Sequence, residues 1–132
     1  MPFVLDASIA ISWAMQEESD PRAETAKARA LIDRPIAPAI WWYEVRNVLI
    51  LNERRGRITP AESERFLRSI GSLPRVVFPQ ESQEALRLAR KHKLSIYDAA
   101  YLELAAAERL ALATLDNDLA KAAAAEGISI LA

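Results

Sequence analysis

The sequence contains no cysteine and a single histidine, and both scarcities narrow the chemistry open to this chain. Without cysteine, disulfides, thiol nucleophiles and cysteine-bound zinc or iron–sulfur sites are excluded. A serine–histidine–aspartate triad would have to use His92, which stands between two lysines at an expected helix end, where cations are ordinary. We therefore expect any chemistry here to depend on carboxylates.

The sequence has neither a large net charge nor long apolar runs. Its 17 basic and 18 acidic residues give a formal net charge of -1, which does not indicate a large basic face for duplex nucleic acid. No apolar stretch approaches the ~18 residues that span a bilayer, and the first residues lack the basic and long apolar segments of a signal peptide. We expect no membrane contact, and the absence of cysteine fits a reducing cytoplasm.

Short apolar runs alternate with helical segments along the 132 residues, of which 52% are hydrophobic. Ser19, Asp20 and Pro21 predict the start of one of these helices. The predicted strands cover residues 3–5, 36–38, 75–78, 111–114 and 128–131. This alternation predicts a single α/β domain over residues 1–132, with helices on both faces of a parallel five-stranded sheet.

Two aspartates stand where predicted strands end. Asp6 ends the first strand, and Asp116 follows the fourth. Ligands of parallel sheets bind beyond the carboxyl ends of the strands, where the strand order reverses. If these two strands are central neighbours, the carboxylates lie side by side at that edge. Two carboxylates about 4 Å apart repel by on the order of 4 kcal/mol at an effective dielectric near 20, and a divalent cation is the usual compensation.

Two further acids lie on the inward faces of predicted helices. Glu44 stands well inside a helix predicted over residues 39–55, on an apolar stripe, and Asp98 shares its face with Tyr101. A buried carboxylate without a partner is costly. Arg46 is only two residues from Glu44 and points to another face, so it cannot neutralise that acid locally. We therefore expect both acids to join the two aspartates.

Each aspartate also has a purely structural explanation. Asp6 and Asp116 suit helix N-caps, and Asp98 suits the third position of a capping box that begins at Ser95. Asp118 is a fifth acid, for which a solvated helix turn is favoured and a role as a ligand stays open.

Small polar residues stand close to the acids in sequence. Ser8, Asn47 and Thr114 are each two or three positions from one of them, and they suit hydrogen bonds to carboxylates or to metal-bound water, or caps and turns. All-oxygen ligands select hard cations such as Mg²⁺ or Mn²⁺. Such a site suits hydrolysis of a phosphodiester, because the ion lowers the pKa of an attacking water and stabilises charge on the phosphate.

Four segments carry a resemblance to a known family. VLDAS at 4–8, EVRNVL at 44–49, LSIYDAAYLELA at 94–105 and TLDNDL at 114–119 resemble, in order and spacing, the PIN-domain family. The resemblance is closest to the VapC-type ribonuclease toxins of bacterial and archaeal toxin–antitoxin pairs, and it spans essentially the whole chain.

The resemblance implies a three-layer α/β/α sandwich with a parallel five-stranded sheet and an Mg²⁺- or Mn²⁺-dependent endonuclease activity on RNA. The acids of the family fall on Asp6, Glu44, Asp98 and Asp116, and its supporting polar positions match Ser8, Asn47 and Thr114. The resemblance also implies a homodimer and a cognate antitoxin, which often blocks the acidic site with its tail. It leaves open whether the two proteins form a larger assembly.

Two groups of residues suit contacts with partners. Three tryptophans either belong to the core or line an apolar groove for a partner helix: Trp13, Trp41 and Trp42. Three arginines beside Gly56 either form a solvated helix end or contact RNA phosphates: Arg54, Arg55 and Arg57.

Two other functions fit parts of the pattern. One alternative is a non-catalytic RNA- or protein-binding scaffold with a vestigial acidic pocket. A phosphotransfer domain would use Asp6 as its phosphoacceptor, yet it requires a lysine near the end of a late strand, and the segment ISILA at 128–132 contains none.

Overall fold

Strands and helices alternate in the computed structural model, which describes residues 1–15 and 20–131. The strands are β1 (Val4–Leu5), β2 (Ile36–Pro38), β3 (Arg75–Val77) and β4 (Leu112–Ala113). The helices are α1 (Ala7–Met15), α2 (Pro21–Ala30), α3 (Ile40–Arg54), α4 (Pro60–Ile70), α5 (Glu84–His92), α6 (Ile96–Glu108) and α7 (Asn117–Ala125). The α/β fold predicted from the sequence is confirmed.

The four strands form one parallel sheet in the order β3-β2-β1-β4. The prediction of a fifth strand over residues 128–131 is wrong. That segment reaches the sheet only through a bridge between Ile130 and Leu112. The Leu112 amide donates to the Ser129 carbonyl, and the Leu131 amide donates to the Leu112 carbonyl, both over 2.9 Å. Both hydrogen bonds involve Leu112, a single residue of the edge strand β4, so they do not form a β-ladder.

The apolar runs of the sequence form the buried centre of the molecule. Phe3, Val4, Leu5 and Leu112 have no exposed surface, as expected for parallel strands that are covered on both faces. Helix α6 packs on β1, β2 and β4 and also contacts α5, while α1 packs against α2 and α3. The result is the predicted sandwich of helices around a sheet.

Side chains cap the starts of α2 and α4, and the first of these starts was predicted. Asp20 caps α2, since its carboxylate accepts a hydrogen bond from the Arg22 amide over 2.8 Å. Ser19, the other residue predicted for this start, lies outside the described residues. Thr59 and Glu62 form a reciprocal capping box at the start of α4. Within the described residues, 1–15 and 20–131, no helix has the length and apolar composition needed to cross a membrane.

A cluster of charges ties the end of α5 to the end of α7. The Glu126 carboxylate, with 12% of its side chain exposed, meets Lys91 at 2.8 Å, His92 at 2.7 Å and Arg87 at 3.2 Å. The hydrogen bonds from Lys91 and His92 lower the pKa of Glu126 from 4.5 to about 2. The single histidine therefore belongs to an ion-pair network at a helix end.

We predict that Glu126→Gln lowers the free energy of unfolding by about 1 kcal/mol at neutral pH, the scale of a networked ion pair near the surface. Because the folded-state pKa of Glu126 is depressed, its stabilisation is complete above pH 4.5 and is lost as the pH falls towards about 2. Urea titrations at several pH values should show the difference from wild type shrinking in acid. Glu108→Gln, at an exposed position, is the control, and an equal loss in it would contradict the assignment.

Candidate active site

The ends of β1 and β4 bring two aspartates to one edge of the sheet. Leu5 pairs with Ala113, and the Asp6 amide donates to the Ala113 carbonyl over 3.0 Å. The chain proceeds from β1 to β2 and β3 on one side, whereas β4 joins β1 on the other. The strand order therefore reverses between β1 and β4, which is where α/β sheets bind ligands.

Asp6 is almost fully buried, with 6% of its surface exposed. Its Oδ2 atom accepts hydrogen bonds from the hydroxyls of Ser8 and Thr114, each over 2.6 Å. Burial raises the pKa of Asp6, the two hydroxyls oppose this rise, and the charges of Asp98 and Asp116 add to it. The side chain thus bonds to hydroxyl groups, rather than acting as the helix N-cap that the structural explanation would require.

The same two hydroxyls tie the end of β1 to the turn that follows β4. Ser8 Oγ accepts from the Leu115 amide, and Thr114 Oγ1 accepts from the Asp116 amide, both over 3.0 Å. Each hydroxyl therefore receives a backbone proton from this turn and donates its own proton to Asp6. This arrangement fixes the position of the Asp116 backbone relative to the Asp6 carboxylate.

Asp116 is the N-cap of α7, so its structural explanation is correct. Its Oδ1 atom accepts from the amides of Asp118 at 2.9 Å and Leu119 at 3.1 Å. Both bonds use one oxygen, which leaves Oδ2 available to a ligand, so the cap and a metal role are compatible. Asp118 is exposed, as a solvated helix turn predicts, and it contributes a backbone amide to this cap.

Glu44 reaches the site from the middle of α3. Its Oε1 atom accepts a hydrogen bond of 2.6 Å from the hydroxyl of Tyr101, on α6. Burial raises the pKa of Glu44, the Tyr101 hydroxyl lowers it, and the charges of Asp6 and Asp98 raise it further. The side chain of Arg46 points elsewhere and donates to the Trp42 carbonyl over 3.1 Å.

Tyr101 is the functional residue that the sequence reasoning missed. The side chain has no exposed surface, and burial, followed by the charges of Asp6 and Glu44, raises the pKa of its hydroxyl. One signal existed in the sequence, since Tyr101 lies three residues after Asp98 on an inward helix face. A tyrosine hydroxyl buried in this way needs an acceptor, and a carboxylate is the strongest one available.

Asp98 lies in the first turn of α6, where its amide donates to Ser95 Oγ over 3.1 Å. Burial raises the pKa of Asp98, the Asp116 charge raises it further, and the Ser95 hydroxyl lowers it. Asp6 and Asp98 each interact electrostatically with the other three acids. The structure therefore places all four carboxylates in one region.

The donors in this region are all oxygen atoms, which fits a hard cation such as Mg²⁺ or Mn²⁺. Within residues 1–15 and 20–131, no three histidine, aspartate or glutamate side chains are arranged to hold one ion together. Mg²⁺ usually takes one or two carboxylates directly and keeps several waters, so it does not require three acids around one point.

The remaining predicted residues lie on α3 or directly after it. Asn47 is exposed on α3 and lines an open cavity together with Glu44. Arg54 ends α3 ten positions after Glu44, about 15 Å along the helix axis, and the exposed Arg55 and Arg57 follow it.

The three tryptophans divide between the core and the surface. Trp13 is buried, and its indole nitrogen donates to the Ala23 carbonyl over 2.9 Å. Trp41 is also buried, whereas 46% of Trp42 is exposed. Only Trp42 is therefore available to a partner.

We predict that Tyr101→Phe raises the pKa of Glu44 further, because the hydroxyl that favours the charged carboxylate is removed. A carboxyl-carbon NMR titration of Glu44 measures this change directly. Tyr97→Phe removes an exposed hydroxyl from the same helix and serves as the control. An unchanged titration of Glu44 in Tyr101→Phe would contradict the assigned contact.

We predict that Asp6→Asn raises Tm at neutral pH in the absence of divalent ions, by roughly 4 °C for each 1 kcal/mol gained. The pKa of Asp6 is raised on folding from 3.8, so the unfolded chain releases this proton first and stability falls as the pH rises above that value. The gain should therefore shrink as the pH falls below 3.8, where both states hold the proton. Calorimetry at the two pH values tests this, and a gain that does not depend on pH would contradict it.

The chain is similar in sequence to known proteins. Residues 3–125 match the family model described as PIN domain. Over 125 residues the chain is 32% identical to Ribonuclease VapC3 of Pyrobaculum aerophilum, covering 92% of this chain and 94% of that protein. It is also 35% identical over 77 residues to Exonuclease VapC9 of the same organism, which covers 58% of each protein.

The fold matches a solved structure as well. The crystal structure of PAE2754 from Pyrobaculum aerophilum superimposes with a TM-score of 0.73 at 25% identity, covering 92% of this chain and 79% of that one. The family match, the relative similar over nearly its whole length and the shared fold lead to one conclusion. This chain belongs to the PIN-domain family, in its VapC-type branch.

Proposed function

We propose that this chain, as one domain over residues 1–132, is a metal-dependent endoribonuclease that hydrolyses RNA phosphodiester bonds and acts as the toxin of a toxin–antitoxin pair. The observation that carries the proposal is the electrostatic cluster of Asp6, Glu44, Asp98 and Asp116, in which a buried carboxylate faces the charges of three others. Carboxylates held against their mutual repulsion are typical of a cation site.

The proposed ion is Mg²⁺ or Mn²⁺, held by Asp6, Asp98, Asp116 and Glu44, some of them through water. When bound, the ion lowers the pKa of a water molecule and stabilises negative charge on the phosphate. Asp116 offers Oδ2, because the helix cap occupies its other oxygen. Ser8 and Thr114 hold the Asp6 carboxylate in one orientation.

Glu44 is the proposed acceptor of the proton from the attacking water. Tyr101 holds Oε1, which leaves Oε2 to face the water. Burial raises the pKa of Glu44, and a carboxylate with a raised pKa is the stronger general base.

The relatives support a nuclease, and their names differ in the kind of cut. One is called a ribonuclease and the other an exonuclease. We propose an internal cut, as expected from the resemblance in sequence. A circular RNA separates the two modes, because only an endonuclease opens it.

We propose further that the protein works in the cytoplasm, forms a homodimer and binds a cognate antitoxin. Large exposed apolar side chains support a protein partner, among them Leu31 at 85%, Ile32 at 78% and Phe78 at 74% exposure. The concentrated negative charge of the site suits blockage by a cationic antitoxin tail. Contact of RNA with Arg54, Arg55 and Arg57 stays a prediction.

We predict that Asp6→Asn and Asp98→Asn each reduce cleavage of circular RNA by at least ~100-fold in Mg²⁺ or Mn²⁺, since a lost ligand costs more than a lost outer contact. Chelation of the metal should abolish cleavage, and both variants should lose growth inhibition on expression. Asp118→Asn, in the exposed first turn of α7, is the matched control and should stay near wild type.

Circular dichroism establishes that the variants fold. Full cleavage by a folded Asp6→Asn/Asp98→Asn double variant would contradict the assigned roles. If wild type binds RNA and cuts none with either ion, the chain is a non-catalytic scaffold instead.

A further inference from the structure

An open cavity of about 650 Å³ adjoins the acidic site along the outer face of α3. Glu44 forms one side of it, and Arg46 and Asn47 continue along the same helix. Tyr43, which is 64% exposed, and Tyr97, which precedes Asp98 and is 56% exposed, add two aromatic rings, and Ile40 and Ile50 line the rest. A chain bound at the acids and longer than one residue would therefore meet a cation, an amide, two aromatic rings and two aliphatic side chains.

Arg46 is held in place without being neutralised. Its guanidinium carbon lies 3.7 Å from the centroid of the Trp42 ring, and Nη1 donates to the Trp42 carbonyl over 3.1 Å. Among the described residues, no acidic side chain forms an ion pair with it. Glu44 is the nearest acid in sequence, and its Oε1 is bound to Tyr101. Stacking and one hydrogen bond fix this guanidinium, while its other N–H groups stay free to donate.

The charges around the site make such a cation useful to a polyanion. Four carboxylates repel RNA, and an ion held among them would offset part of this repulsion. A cation beside the site would favour the phosphates on either side of the one that is cut. A guanidinium binds phosphate oxygens with two parallel hydrogen bonds. Exposed aromatic rings hold unpaired bases by stacking, and amide side chains bond to base edges.

We propose that this cavity is a nucleotide subsite, in which Arg46 binds an RNA phosphate next to the one that is cut and Tyr43 or Tyr97 stacks on the adjoining base. Asn47 lines the same cavity and offers an amide group to a nucleotide bound there. This inference rests on the proposed ribonuclease function and adds the residues that place the substrate.

The test measures binding of a fluorescent single-stranded RNA to the inactive Asp6→Asn protein at several salt concentrations. Adding Arg46→Ala should weaken binding about tenfold, because a hydrogen-bonded charge contact is lost. It should also reduce the slope of log affinity against log salt by about 0.7, the value for one phosphate contact on a single strand. Arg46→Lys should recover the slope and only part of the affinity.

Two further variants separate the aromatic contact from the ionic one. Tyr97→Ala should weaken binding and leave the salt slope unchanged, because stacking releases no counterions. Arg90→Ala removes an exposed arginine from the last turn of α5 and is the charge-matched control. In the active protein, Arg46→Ala should raise KM more than it lowers kcat, and thermal unfolding should show that each variant folds.

The possible results separate this inference from the function on which it rests. If wild type cleaves RNA and Arg46→Ala binds as tightly as Arg90→Ala, the subsite is overturned and the nuclease stands. If Arg46→Ala changes self-association in sedimentation and leaves RNA affinity intact, this face is a protein interface and the subsite is overturned. If wild type neither binds nor cleaves RNA, both proposals fail.

Discussion

The burial of one carboxylate, that of Asp6, is the constraint on which the rest of the site depends. The side chain is 6% exposed, and two hydroxyls at 2.6 Å replace the water that it loses. Those hydroxyls come from Ser8, in the first turn of α1 just after β1, and from Thr114, directly after β4. The pairing of β1 with β4 is therefore required for the carboxylate to be satisfied. The other three acids then lie near the fixed negative charge of Asp6. Their mutual repulsion lowers the stability of the fold.

Much of this arrangement was predictable because it follows from short-range patterns. Uniform apolar runs predicted the buried strands, and Asp6 and Asp116 were expected side by side if β1 and β4 were neighbours, a condition that the structure meets. The fifth strand was wrong because a short apolar run does not reveal how many partners it will find. Residues 128–131 have the composition of a strand, yet their pairing with β4 stops at one bridge.

Tyr101 shows where sequence reasoning stops. Helix periodicity placed it on the inward face of α6, and its burial demanded an acceptor. The acceptor is Glu44, 57 residues away in the chain, and no local rule identifies it. The contact exists only because α3 and α6 meet beside the sheet edge. The stacking of Arg46 on Trp42 is local to one helical turn. The cavity that Arg46 lines, in contrast, is formed by residues of both α3 and α6.

The double role of Asp116 makes a practical tool available. Its Oδ1 atom caps α7 through two backbone amides, and asparagine is as good a cap as aspartate. Replacing one oxygen by an amide nitrogen thus removes negative charge from the site while the helix keeps its beginning. If the proposed function holds, such a chain would retain its fold and bind RNA without cleaving it. Crosslinking in living cells, followed by sequencing of what stays attached, could then reveal the natural target.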